Sequence, residues 1–134
     1  MSSIPSQLRS EVRLNAGGRC EYCRRPDHET AYGHTIDHII PIKHGGLTIL
    51  ENLVYACLFC NQHKGTDVAI YDRETGELTP LFNPRTQKWQ EHFYVENNFI
   101  LPKTVIGRVT IFILQMNAPK QVEARAELIA AGLW

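Results

Sequence analysis

The sequence predicts an α+β fold stapled by a metal ion, on three observations. Two Cys-x-x-Cys pairs stand far apart in the chain. Short runs of β-branched and aromatic residues read as strands, and helical spacing of apolar residues recurs near both ends.

The elements follow in order. Residues 5–16 place Leu8, Val12 and either Leu14 or Ala16 at near-helical spacing after Pro5 or Ser6, and Gly17-Gly18 ends the helix. Residues 34–42 read as a strand, residues 43–47 as a turn and residues 53–56 as a second strand. A helix is expected from Cys60 to about Thr66, closed by Gly65. Residues 67–80 look irregular, with a hairpin around Thr75-Gly76. Residues 89–101 read as two strands joined by Glu96-Asn97-Asn98. Thr104 can cap a helix through Met116, and helix is the expected state, although the β-branched run from Val105 to Ile113 argues equally for a strand. Pro119 at a first-turn position, with Val122, Leu128, Ile129 and Leu133, predicts a helix over 118–131 stopped by Gly132.

Size and charge bound the function. With 134 residues and 43% hydrophobic content the chain suits one modest core with room for a small appendage. Fourteen basic residues balance fourteen acidic ones, so affinity for a polyanion must come from a local patch. The N-terminus has no apolar h-region and the longest apolar run, residues 111–114, is too short for a bilayer. A cytoplasmic protein without a membrane partner is therefore expected.

In that compartment four cysteines point to thiolates on a metal more than to disulfides. Cys20 and Cys23 form one knuckle, and Cys57 and Cys60 the other, so four sulfurs can close a tetrahedral shell around structural zinc. Two disulfides or four unrelated buried thiols are the plainer alternative. A closed shell leaves no position for substrate. The knuckles enclose residues 24–56, so the ion would staple the ends of a long insert.

That insert contains Asp37 and His38 in the middle of the first strand, where a charge needs a partner. Read together, DHIIPIKHGG, ENLVYAC and CNQHKG resemble the HNH endonuclease family, in the variant whose third signature residue is asparagine. The resemblance covers about residues 18–66, and FNPR, WQEHF and IGRVT resemble the C-terminal extension of longer bacterial members. It implies a ββα-metal nuclease core (His-Me finger), with an N-terminal helix and an α/β C-terminal extension. The expected units are residues 1–66 and residues 67–134, packed as one structure.

The resemblance also assigns roles. His38 is similar to the family's general base, Asp37 to its carboxylate ligand for a catalytic Mg²⁺ or Mn²⁺, and Asn61 to its second ligand. Asn52 matches the middle signature residue, which braces the loop and orients the histidine through its amide. The residue types suit the chemistry. Phosphodiester hydrolysis needs a deprotonated water and neutralisation of developing charge, and an imidazole, ordinarily of pKa about 6.5, can take that proton. A carboxylate with an amide leaves most positions of a hard cation for phosphate and water.

If the helix begins at Cys60, about 100° per residue puts Lys64 beside Asn61, whereas His63 lies roughly 200° away. Asn61 and Lys64 can then face one phosphate, although some family members have histidine where Asn61 stands, which keeps His63 open as the ligand. Lys43 and His44, before Gly45-Gly46, and Arg85 and Lys88 further on are the expected DNA-binding cations, with Arg24, Arg25 and His92 as further contributors. The expected partner is double-stranded DNA. RNA stays open as a substrate, residues 67–134 are expected to cover the hydrophobic back of the core, with pairing of two copies of the chain as an alternative, and the competing class is a treble-clef-like zinc module that binds nucleic acid or protein without cutting.

Overall fold

A hairpin followed by a helix forms the centre of the computed structural model, which describes residues 4–134; the first three residues of the expected 1–66 unit lie outside the described residues. Helix α1 (Ser6–Asn15) leads through the first knuckle to β1 (Thr35–His38), which pairs antiparallel with β2 (Leu53–Ala56). Helix α2 (Leu58–Lys64) follows at once and completes the ββα unit. The extension adds hairpins β3 (Ala69–Tyr71) with β4 (Leu78–Pro80) and β5 (Phe93–Glu96) with β6 (Phe99–Pro102). A single helical turn, α3 (Trp89–His92), precedes β5, and helices α4 (Val105–Leu114) and α5 (Pro119–Ala130) end the chain. The fold is α+β, as expected.

β2 is buried along its whole length, and its alternation sorts the core into two sides. Leu53 and Tyr55 pack with Val12 and Leu8 of α1. Val54 and Ala56 join the larger cluster, which holds the four cysteines together with Phe82, Phe93, Ile100, Leu114 and Met116. Residues from both parts of the chain therefore share one apolar interior. No helix among the described residues is long and apolar enough to cross a membrane.

Three boundaries differ from the expectation, each for a physical reason. β1 ends at His38, because the Asn52 side chain takes both the amide and the carbonyl of Ile40 in place of a strand partner, and residues 42–44 form a short 3-10 turn. α2 begins at Leu58, because Cys57 caps it through its sulfur, which accepts from the Cys60 amide at 3.4 Å. Residues 89–92 form a helical turn and not a strand start. The ambiguous run after Thr104 is helical, with Thr104 Oγ1 accepting from the Gly107 amide at 3.0 Å. Gly107 lets this helix approach α3: a Cβ there would stand 2.2 Å from the His92 carbonyl oxygen.

Charged side chains tie the periphery down. Asp72 receives two bonds from Arg108 at 2.9 Å and one from the Thr75 amide, fixing the β3–β4 turn on α4. Arg125, almost fully buried, donates to the carbonyls of Asn98 and Met116 and so seats α5 against the β5–β6 turn. Asp27 takes bonds from Arg13 Nε at 2.8 Å and Tyr55 Oη at 2.7 Å, linking α1 to β2. The hydrogen bond from Arg13 holds the Asp27 carboxyl below its ordinary range, against the opposing effect of burial. Stability from this group is complete above the unfolded carboxylate value of about 3.9 and is lost as pH falls through the lower folded value. Asp27→Asn is therefore expected to unfold more easily at neutral pH and to show a shallower acid limb below about pH 4; parallel urea titrations at pH 7 and pH 3 read both effects, and an unchanged acid limb would rule the link out.

Candidate functional site

The two knuckles converge. Sγ atoms of Cys20, Cys23, Cys57 and Cys60 all lie within 4.8 Å of one another, and every one of these residues is buried. Cys23 and Cys57 sulfurs are 3.7 Å apart, close to the edge of about 3.8 Å of a tetrahedron with zinc–sulfur bonds of about 2.3 Å. In each knuckle the second cysteine's amide points at the first one's sulfur at 3.4 Å. Hydrogen bonds from Cys20, Cys23 and Cys60 pull the Cys57 thiol well down, whereas hydrogen bonding with Cys20, and burial with it, pushes Cys23 and Cys60 well up. Without a cation, then, this cluster cannot hold four thiolates; a divalent ion supplies the missing charge. The donor set fits zinc in a closed structural site.

Past His38 the hairpin is held open by one side chain. Ile39 still donates to the Asn52 carbonyl at 2.8 Å. Beyond it the Asn52 carboxamide replaces a strand partner: Oδ1 accepts from the Ile40 amide at 2.9 Å, and Nδ2 donates to the carbonyls of Ile40 and Leu47 at 3.0 and 2.8 Å. Asn52 thus braces the loop, while its amide goes to backbone carbonyls and not to the His38 ring. The brace requires Gly46, where a Cβ would lie 1.7 Å from the Ile40 oxygen and 2.9 Å from Asn52 Nδ2. Gly46→Ala is expected to destabilise the protein by about 2–4 kcal/mol through a broken buried network; a thermal melt within error of wild type would contradict this brace.

The register places Asp37 opposite Val54 and His38 opposite Leu53, so the two side chains leave β1 toward different faces at its end. Asp37 lies on the side of α2: Oδ2 is 4.0 Å from Lys64 Nζ, at the outer limit of an ion pair, and is buried without a hydrogen-bond partner. Burial pushes this carboxyl up, opposed by Lys64 and, less, by His38. His38 Nε2 meets Thr48 Oγ1 at 2.9 Å.

Lys64 is almost fully buried, and its amine donates to the carbonyl of Ile39 at 3.1 Å and contacts that of His38 at 3.5 Å. Burial lowers its pKa, with Asp37 opposing. It joins α2 to the exit of β1 and is not held out as a free surface cation. Asn61, half-buried, stands three residues before Lys64 and so beside it on the surface of α2. His63 is exposed, stacks on Phe59 at 4.1 Å and bonds its carbonyl at 2.8 Å.

The expected DNA-binding cations are spread out. Lys43 and His44 are exposed on the turn after β1, and Lys88 is exposed before α3. Arg85 is mostly buried and paired with Glu21, with which a phosphate would have to compete. Arg24 lies over the Trp89 ring at 5.9 Å. Two residues escaped sequence reasoning: Thr48, whose position in an unremarkable loop carries no signal, and Tyr22, which reads as a spacer between cysteines. Tyr22 is 1% exposed and its hydroxyl has no partner.

Compared with known families, residues 20–67 match the model described as HNH endonuclease, which spans both knuckles and the ββα unit. No curated protein and no solved structure matches the chain.

Proposed function

We propose, from the match of residues 20–67 to the HNH endonuclease model, that the protein is a metal-dependent nuclease hydrolysing phosphodiester bonds of double-stranded DNA to 3′-hydroxyl and 5′-phosphate ends. One observation carries the reading: within that segment Asp37 Oδ2 is buried and unpartnered beside α2. A carboxylate oxygen desolvated without a donor is costly, and a divalent cation satisfies it. Asp37 and Asn61 would hold Mg²⁺ or Mn²⁺, which supplies positive charge where negative charge builds on the phosphate and leaving oxygen.

In this mechanism His38 takes the proton of the attacking water. As the base His38 uses Nδ1; Nε2 then keeps its hydrogen and donates it to Thr48 Oγ1, 2.9 Å away, whose hydroxyl can act as acceptor. Asn52 and Gly46 keep the loop that carries Thr48 in place. Lys64 offsets the Asp37 charge and ties α2 to β1, so the two metal-binding side chains keep their spacing. Lys43, His44 and Lys88 supply phosphate contacts, which give affinity without reading sequence; Arg85 adds to them if Glu21 releases it.

The test is supercoiled plasmid incubated with zinc-loaded protein and Mg²⁺ or Mn²⁺. Wild type should nick or linearise it, EDTA should stop the reaction while the tightly held zinc stays bound, and Asp37→Ala should cut at least about 100-fold more slowly. Equal inactivity of wild type and variant with DNA still bound would instead mark a zinc module that holds nucleic acid without cutting it.

A further inference from the structure

A second unpartnered group beside the hairpin is Tyr22. Its ring is buried, and its hydroxyl, like Asp37 Oδ2, is buried without a hydrogen-bond partner. The first knuckle lays this residue against the hairpin. The Glu21 amide donates to the Tyr55 carbonyl at 2.8 Å, and Glu21 Oε1 accepts from the Tyr55 amide at 3.0 Å. Val54, the neighbour of Tyr55 on β2, shares the larger core cluster with Tyr22 and is the register partner of Asp37. Partners across an antiparallel ladder turn their side chains to the same face, so Tyr22, Val54 and Asp37 lie on one side of the hairpin.

The two groups are chemically complementary. Burial, and then the Asp37 charge ahead of the sulfurs of Cys20 and Cys60, pushes the Tyr22 hydroxyl well above its ordinary pKa, so it keeps its proton as a donor. A carboxylate offers about four lone-pair sites, of which a cation uses only part. Lys64, at 4.0 Å from Oδ2, turns its amine to the carbonyls of Ile39 and His38 and leaves that oxygen open to another donor. A buried donor and a buried acceptor that stay apart each cost stability, and carboxylates that ligate a metal are ordinarily hydrogen-bonded in turn.

We infer that Tyr22 is the positioning residue of the metal-binding carboxylate: its hydroxyl donates to Asp37 by way of one water and keeps Oδ2 turned toward the cation. The inference rests on the proposed nuclease reading and adds a residue to it. Because Tyr22 stands between Cys20 and Cys23, the sulfur cluster then orients the second metal site as well as holding the fold. Tyr22 itself touches neither phosphate nor the attacking water.

The test counts Mn²⁺ bound by zinc-loaded His38→Ala protein on a duplex, which it holds without cutting; electron paramagnetic resonance reads the free ion, with the duplex alone as baseline. The complex should take up Mn²⁺ beyond that baseline, and Asp37→Asn should remove the added site. Tyr22→Phe in the same background should weaken that site by about 10-fold, the lower end of what such partners contribute. Zinc content should stay unchanged, and the melting temperature before Mn²⁺ is added should be at or above that of the parent, because the ring remains and only an unpartnered hydroxyl is lost. A mere packing role would lower the melt and leave the Mn²⁺ affinity alone. Unchanged affinity at a site that Asp37→Asn removes overturns the role of Tyr22 and leaves the nuclease standing, and so does a loss of affinity accompanied by a lower melt. A parent complex that takes up no Mn²⁺ beyond the duplex removes the metal-dependent nuclease and this inference together.

Discussion

Cys57→Ser is expected to abolish cooperative unfolding altogether. Cys57 belongs to the four-cysteine cluster suited to zinc, and it also closes the β2–α2 junction, where its sulfur caps α2. A serine oxygen can still cap but is a poor match for zinc, so the metal is what the substitution removes. Structural zinc contributes an apparent binding energy of about 10–16 kcal/mol at neutral pH, comparable with the entire stability of a domain, about 5–15 kcal/mol. The cluster sits inside the larger apolar core with Phe82, Phe93 and Leu114, so its loss opens the extension as well as the ββα unit. Metal analysis with thermal unfolding by circular dichroism checks this: wild type binds one zinc per chain and melts in one transition, and the variant does neither. A variant with unchanged melting temperature would show that sulfur ligation is dispensable. Stripping zinc from wild type should reproduce the variant, and adding it back should restore the melt.

His38→Ala should slow DNA cleavage by about 10²–10⁴-fold, the contribution of a positioned general base, with little change in melting temperature. The contrast follows from the structure, in which His38 is half-buried and its ring makes one bond, to Thr48. Thr48→Val keeps the shape and removes that bond, and should cost about 10–100-fold, as loss of an orienting partner does elsewhere. Single-turnover rates on a saturating duplex separate these effects from binding. Thr48→Val cutting at the wild-type rate would show that the imidazole needs no orienting hydroxyl.

The sequence disclosed the site in unequal parts. The cysteine knuckles were legible because two Cys-x-x-Cys pairs can close one shell, and the fold brings the four sulfurs together; Asp37, His38, Asn52 and Asn61 were singled out by their resemblance to the HNH signature. Hairpin β3–β4, the capped helix after Thr104 and the Pro119 helix were legible from turn and cap chemistry, which is local. What stayed hidden depends on distant partners. The β1 end at His38 follows from Asn52 taking over the bonds of Ile40, which no window of sequence shows. The burial of Lys64 follows from the carbonyls of Ile39 and His38, and the pairing of Arg85 from Glu21 across the fold. A lysine or arginine looks the same in a sequence whether it faces phosphate or a buried oxygen.

The indole of Trp89 donates to the Tyr22 carbonyl between two cysteines of the candidate zinc cluster, with Trp134 6.5 Å away. Emission from these two rings should therefore act as a built-in gauge of metal occupancy, so that titration of the ion can be followed optically without a label.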